Sequence, residues 1–475
     1  MRSRSLTVND TVRADSLSEP RSHPGLRARE GASARWACWQ DRIFWYMLDT
    51  ATVAAGKGGG MTELKAEMDP AEVGFDPGRL GRIDRHFERY VDDGRLPGWL
   101  LTVSRHGRLA HVSGYGLRDV EAGLPVETDT LWRIYSMTKP ITSVAATMLL
   151  EEGAFELTSP VSDFIPSFAD AGVYTGGSDV KPVIVPATEP VRIWHLLTHT
   201  AGLTYGFHRV HPVDAQYRAA GFEWASPADL DLAQCCDLWA GLPLLFQPGA
   251  EWNYSVATDV LGRVVEVASG QSLDEFLADR ILAPLGMTDT AFHVPPAEAE
   301  RLAALYTRGA DGKATRLDAM GKVAAAPPRF LSGGGGLIST AADYHRFTQL
   351  LLDRPGSPAG ELDGARLLSP RTVAYMTRNH LPGGGDLETF GRPLYAEAPF
   401  RGIGFGLGFA VVIDAAAGKA ICSEGEYSWG GAASTAFWVD PAEELTVSFF
   451  TQLLPSSTYR IRPQLRQLVY QALVG

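Results

Sequence analysis

Residues 131–150 read LWRIYSMTKPITSVAATMLL. A short apolar run gives way to Ile141, Val144, Ala145, Met148 and Leu149 at helical spacing. Pro140 is tolerable only in a first helical turn, so a helix begins near Ser136. Ser136 and Lys139 stand at i, i+3 and share one face of it. The helix N-terminus directs free N–H groups and partial positive charge at the serine. A serine hydroxyl is a weak nucleophile until a base takes its proton. A lysine is such a base only in its neutral form, which burial favours, and a facing tyrosine could share the proton. On these two residues alone, a helix cap beside a solvated lysine is a competing reading. The spacing S-x-x-K recurs at Ser178–Lys181, in the Gly/Pro-rich stretch YTGGSDVKPVIVP with no helix after it. Seven lysines at an ordinary serine frequency produce about 0.4 matches by chance, and Ser178 is read as one.

Outward from this stretch, Asp76-Pro77 is a helix start, followed by Leu80, Ile83, Phe87 and Tyr90 at helical spacing and an end near Gly94. WLLTVSRHGRLAHVSGYG (99–116) reads as a hairpin turning at His106-Gly107. GFGLGFAVVID (404–414), KAICSEG (419–425), STAFWVD (434–440) and LTVSFFTQ (445–452) are four strand candidates in series. Tyr459 to Val474 reads as an amphipathic helix with Leu465, Leu468, Val469 and Ala472 on one face. Strands at both ends and helices in the middle predict an α+β fold. An antiparallel sheet from residues 61–135 and 335–475 is flanked by terminal helices, and residues 136–334 are inserted as a mostly helical domain. The cleft between them is the natural site.

The chain has 475 residues, 45% hydrophobic and 21% charged, with a net charge of −12. This excludes a wholly disordered or collagen-like chain and argues against a nucleic-acid footprint. No apolar run reaches the length of a membrane span. Cys38, Cys235, Cys236 and Cys422 are too few and too irregularly spaced for a disulfide framework, which suits a cytoplasmic protein. Residues 1–60 differ from the rest: nine Lys+Arg against six Asp+Glu, no sustained period, and one apolar run of only six residues, Ile43 to Leu48. That run is too short for a signal peptide. The segment is expected to be a disordered tail or translated upstream sequence, with Met61 as the natural start.

Six stretches, IYSMTKPITS, LLTHTAGLTYGF, WNYSVATDVLGRVVEVASG, LAPLGMTDTAF, SGGGGLISTAADYHRF and SWGGAASTAFWVDP, occur in an order that resembles the serine β-lactamase and penicillin-binding-protein superfamily. The likeness runs from about Phe75 onward. It is nearest to family VIII carboxylesterases, the class C β-lactamase-like esterases, including actinobacterial members described as lipases. The resemblance implies the β-lactamase/transpeptidase-like fold and an acyl-enzyme mechanism without metal or cofactor. Ser136 would be the acylated nucleophile, Lys139 its proton partner, and Tyr254 the second-motif tyrosine. Trp429-Gly430-Gly431 would be the third motif, lining the substrate site, and the amides of Ser136 and Ala432 the oxyanion hole.

Two departures point away from penicillins and peptidoglycan stems and towards neutral, small-molecule esters, for which short to medium chains are expected. Trp429 stands where lactamases place a lysine that suits a substrate carboxylate. The second motif reads Tyr-Ser-Val where lactamases read Tyr-x-Asn, losing a hydrogen bond to a substrate amide. A β-lactamase or D-amino-acid peptidase is the rival on the same fold, and a catalytically silent scaffold the rival outside it. Other motifs carry less. His195 and His199 are spaced i, i+4, but Leu196 replaces the glutamate of H-E-x-x-H, so a buried structural pair is expected. His208 and His211 read as loop residues. Gly333 to Gly336 lacks the flanking strand and G-K-[ST] of a phosphate loop and reads as close backbone packing near the cleft.

Overall fold

A computed structural model describes residues 64–224, 227, 229–321, 326–354, 356–392 and 400–475. Residues 1–63, and with them Cys38 and Met61, lie outside the described residues. The architecture is α+β around an eight-stranded sheet. Its strands are β1 (Gly98–Arg105), β2 (Arg108–Asp119), β3 (Leu124–Pro125), β4 (Ile403–Phe405), β5 (Ala410–Val412), β6 (Tyr427–Gly430), β7 (Ala436–Asp440) and β8 (Leu445–Phe450). They run in the order β4-β5-β6-β7-β8-β1-β2-β3, every neighbouring pair antiparallel. The sheet centre therefore joins segments far apart in sequence, with Leu101 opposite Phe449 and Val103 opposite Val447. The β1–β2 hairpin turns where the sequence places it. His106 (φ 53°) and Gly107 (φ 76°) both take the left-handed backbone that a two-residue hairpin turn requires.

Side chains alternate across a strand, and here both faces are covered. Leu101, Val103, Trp438, Val447 and Phe449 pack against α1 (Pro77–Asp92) and the C-terminal α5 (Ile461–Tyr470). Their neighbours Leu100, Phe437, Val439 and Phe450 join the larger core containing α2 (Thr138–Glu151), α3 (Ala257–Ser269) and α4 (Ala341–Leu351). This double cover is why β1 is buried along its whole length, Thr102, Ser104 and Arg105 included. On α5, Leu465 and Val469 are buried and Leu468 half-buried, and Ala472 just beyond its end is buried too.

Two expectations need correction. GFGLGFAVVID is a hairpin, β4 and β5, because Gly408 (φ 95°) and the bond from Gly406 N to Phe409 O reverse the chain. KAICSEG is not a strand. Consecutive turns from Asp414 to Ala420 satisfy their own backbone groups and leave Ile421 exposed, so the strand forms later, at Tyr427. Within the middle of the chain, Gly172–Gly177 and Pro182–Pro186 pair as a hairpin. Its turn contains Ser178 and Lys181, joined by Lys181 N donating to Ser178 Oγ, which is a turn-closing bond on an exposed loop. Among the described residues, no helix is long and apolar enough to cross a membrane.

Candidate active site

Trp132–Arg133 pairs with Ile338–Ser339, and Ile134 N donates to Leu337 O, so the segment before Ser136 is anchored to a second strand. Tyr135 then adopts φ 45°. For a bulky non-glycine residue this left-handed backbone costs about 1–3 kcal/mol, held here by the packing on either side. It turns the chain into a short 3₁₀ segment, Tyr135–Met137, that runs directly into α2. Ser136 lies in that turn and stays partly accessible. One turn on, Lys139 is 2% exposed.

The Lys139 Nζ lies within hydrogen-bond reach of three oxygens: Gly334 O at 2.7 Å, Tyr205 Oη at 3.1 Å and Ser136 Oγ at 3.3 Å. Tyr254 Oη lies 2.5 Å from Ser136 Oγ, and the Tyr254 ring is 4.5 Å from Lys139 Nζ. The hydroxyl of Ser136 thus has two proton-transfer partners within reach, which is the geometry nucleophile activation needs. Ser178 takes no part, being closed into its own turn.

Two groups here carry no local signal in the sequence. Tyr205 ends the LLTHTAGLTY segment; burial first, then the Asp259 carboxyl and Tyr254, push its hydroxyl well above its usual range. Asp259 lies five residues after Tyr254 on α3 and is buried. Its Oδ1 accepts from Ser332 Oγ at 2.6 Å and from Gly334 N at 2.9 Å. Burial raises its carboxyl, while Lys139 and these bonds oppose the rise. The Gly333–Gly336 run packs closely, as expected. A Cβ on Gly334 would lie 2.6 Å from Asp259 Oδ2, and one on Gly333 2.8 Å from Thr258 O.

The histidines are structural supports. His199 Nδ1 lies 3.2 Å from Ser255 Oγ, and its ring is 5.0 Å from that of Tyr254. Burial, then Lys139, holds it well below its usual range and so neutral. His195 caps its own helix through Nδ1, which accepts from Arg192 N, and burial pushes it down to about 3. His211 lies on the loop as expected and caps the next helix. His208 does not: it is buried and its Nε2 reaches the Tyr254 carbonyl at 2.7 Å, because the Gly206–His208 turn points it inward.

The third-motif stretch ends β6. The Trp429 ring lies 5.4 Å from those of Tyr254 and Phe405. Gly431 is sterically required, and a side chain at Gly430 would displace the Arg462 guanidinium. A Cβ on Gly430 would lie 2.5 Å from Arg462 Cζ, and one on Gly431 2.4 Å from Ile134 O. Arg462, on α5, donates to the carbonyls of Gly431 (2.7 Å) and Thr435 (2.9 Å), bracing the turn that carries Ala432. Ser136, Tyr254, Trp429, Gly430, Gly431 and Ala432 all line one cleft of about 980 Å³.

Comparison with known proteins shows the family. The beta-lactamase family model matches residues 83–471. Protein Rv1367c of Mycobacterium tuberculosis is 37% identical over 372 residues, covering 77% of this chain and 88% of that protein. Esterase EstB of Burkholderia gladioli is 33% identical over 404 residues, covering 81% and 94%. Among solved structures, EstCE1, a hydrolase with promiscuous acyltransferase activity, superposes with a TM-score of 0.69 at 28% identity, covering 83% of this chain and 99% of its own. The chain therefore belongs to the beta-lactamase family, as a serine hydrolase of that fold on the side of the family VIII carboxylesterases.

Proposed function

We propose that the protein is a carboxylesterase that cleaves neutral esters of short to medium acyl length through an acyl-enzyme at Ser136. Ser136 Oγ attacks the ester carbonyl carbon while its proton passes to the Tyr254–Lys139 pair. The oxyanion is held by the amides of Ser136 and Ala432; such donors are worth about 10²–10³ in rate elsewhere. The carbon–oxygen bond to the alcohol breaks and the alkoxide leaves with the proton from Tyr254. Water then gives its proton to the same pair, attacks the acyl carbon and frees the acid and Ser136.

The observation that carries this reading is the convergence of Tyr254 Oη (2.5 Å) and Lys139 Nζ (3.3 Å) on one serine oxygen. Trp429, beside Tyr254, supports neutral substrates, since an indole offers an apolar face and one donor but no cation. The names of EstB and EstCE1 agree with hydrolysis.

The test is a labelled acyl-phosphonate, which should modify wild type and Ser178→Ala on Ser136 and leave Ser136→Ala unmodified. Turnover of p-nitrophenyl esters should exceed that of nitrocefin. An adduct on another serine overturns the mechanism, and a nitrocefin rate above the ester rate makes the protein a β-lactamase.

A further inference from the structure

The cleft lies at the upper end of the volumes that hold drug-sized ligands, about 300–1,000 Å³, and far exceeds what a simple short-chain ester fills. One wall carries three rings in parallel stacking. Tyr205 and Phe207 are 4.7 Å apart at 19°, and Phe207 and Trp224 are 4.7 Å apart at 13°. The row starts at the active lysine, whose Nζ donates to Tyr205 Oη, and ends at Trp224, which is 52% exposed. All three residues line the cleft. Phe207 covers one face of the Trp224 indole, so the exposed area lies on the other face and the edges.

A half-exposed indole at the end of a stack loses water-free contact that a further ring would supply. Aromatic pairs gain beyond simple area burial when stacked or tilted. The charged residues on this stretch of wall, Arg209 and Glu223, pair with each other, so neither is left to select a charged group. Phe222, Trp239 and Phe330 add further aromatic lining.

We propose that the Tyr205–Phe207–Trp224 row is an extended substrate subsite, and that the preferred ester carries a planar aromatic group, some atoms from its carbonyl, that continues the stack on Trp224. This rests on the esterase reading above. The ring can belong to the acyl or the alcohol half; the chemistry that recognises it is the same.

The test uses matched pairs. p-Nitrophenyl 4-phenylbutyrate against 4-cyclohexylbutyrate places the ring on the acyl half. 4-Phenylbutyl acetate against 4-cyclohexylbutyl acetate places it on the alcohol half. Wild type should favour phenyl over cyclohexyl in kcat/KM by about three- to tenfold in one pair. Trp224→Leu should bring that ratio to about one, and Trp224→Phe should keep most of it. The ratio cancels any general loss of activity in a variant. A wild-type ratio near one in both pairs, or a ratio that survives Trp224→Leu, overturns the subsite while leaving the esterase reading standing. Failure of wild type to turn over p-nitrophenyl acetate or to label at Ser136 overturns both.

Discussion

Lys139 and Asp259 are tied to the same residue: Gly334 accepts from Lys139 Nζ through its carbonyl at 2.7 Å and donates to Asp259 Oδ1 through its N–H at 2.9 Å. Among the described residues Asp259 is hydrogen-bonded to Ser332 and Gly334 rather than to Ser136, yet it sets where an oxygen partner of Lys139 stands. It is a positioning residue for the lysine.

Asp259→Ala should therefore leave Ser332 Oγ and Gly334 N without their buried acceptor, at a stability cost of about 1–3 kcal/mol. It should also lower kcat by about tenfold or more through misplacement of the proton partner, with a smaller change in KM. Asp259→Asn keeps an accepting oxygen and should recover most of kcat. Steady-state kinetics alongside denaturation checks this. A variant that loses stability but keeps kcat would make Asp259 a structural residue alone.

Trp429→Lys should shift substrate preference. It restores the cation that the lactamase motif carries and removes a large apolar surface of about 150–250 Å². kcat/KM on neutral p-nitrophenyl esters should fall, and turnover of carboxylate-bearing cephalosporins should rise relative to it. The comparison is the ratio of the two kcat/KM values in wild type and variant. An unchanged ratio in a folded variant that still labels at Ser136 would remove Trp429 from substrate selection.

Asp343 predicts a pH dependence of stability. It is buried on α4, accepts from Thr290 Oγ1 at 2.7 Å and Asp289 N at 2.8 Å, and burial pushes its carboxyl up from 3.8 to about 6. An acid raised on folding is stabilising while it is protonated in both states, below about pH 4. That contribution is lost as pH rises through about 6. The full effect is on the order of 2–3 kcal/mol. Asp343→Asn removes it, so wild type should lose stability relative to the variant between pH 4 and pH 7. Urea midpoints across that range test the slope; a constant difference would mean Asp343 ionises normally.

The parts of this protein legible in its sequence are those with a local cause. α1 shows its Asp76-Pro77 start, the β1–β2 hairpin its His106-Gly107 turn, and α2 its Pro140 limit. Ser136, Lys139, Tyr254 and Trp429 were recognisable by motif order. Asp259 and Tyr205 were not, because a buried acid on a helix looks like any surface acid until the neighbouring chain covers it. KAICSEG misled because its apolar residues resemble a strand, although nothing pairs with them. His208 misled because a turn among glycine and aromatics gives no hint of which way it faces.

The pairing of β1 with β8 has a consequence for synthesis. Until Leu445–Phe450 leaves the ribosome, the β1–β2 hairpin has an open edge of eight buried-type residues, Gly98–Arg105. At about 5–20 residues per second, that interval lasts tens of seconds. During it the nascent chain exposes an apolar template of the sort that recruits other strands. Closure of the central layer thus comes late and is slow, since it waits on contacts of very long sequence separation. Yield in a cell should depend on holdase chaperones that shield this edge more than on the stability of the finished molecule.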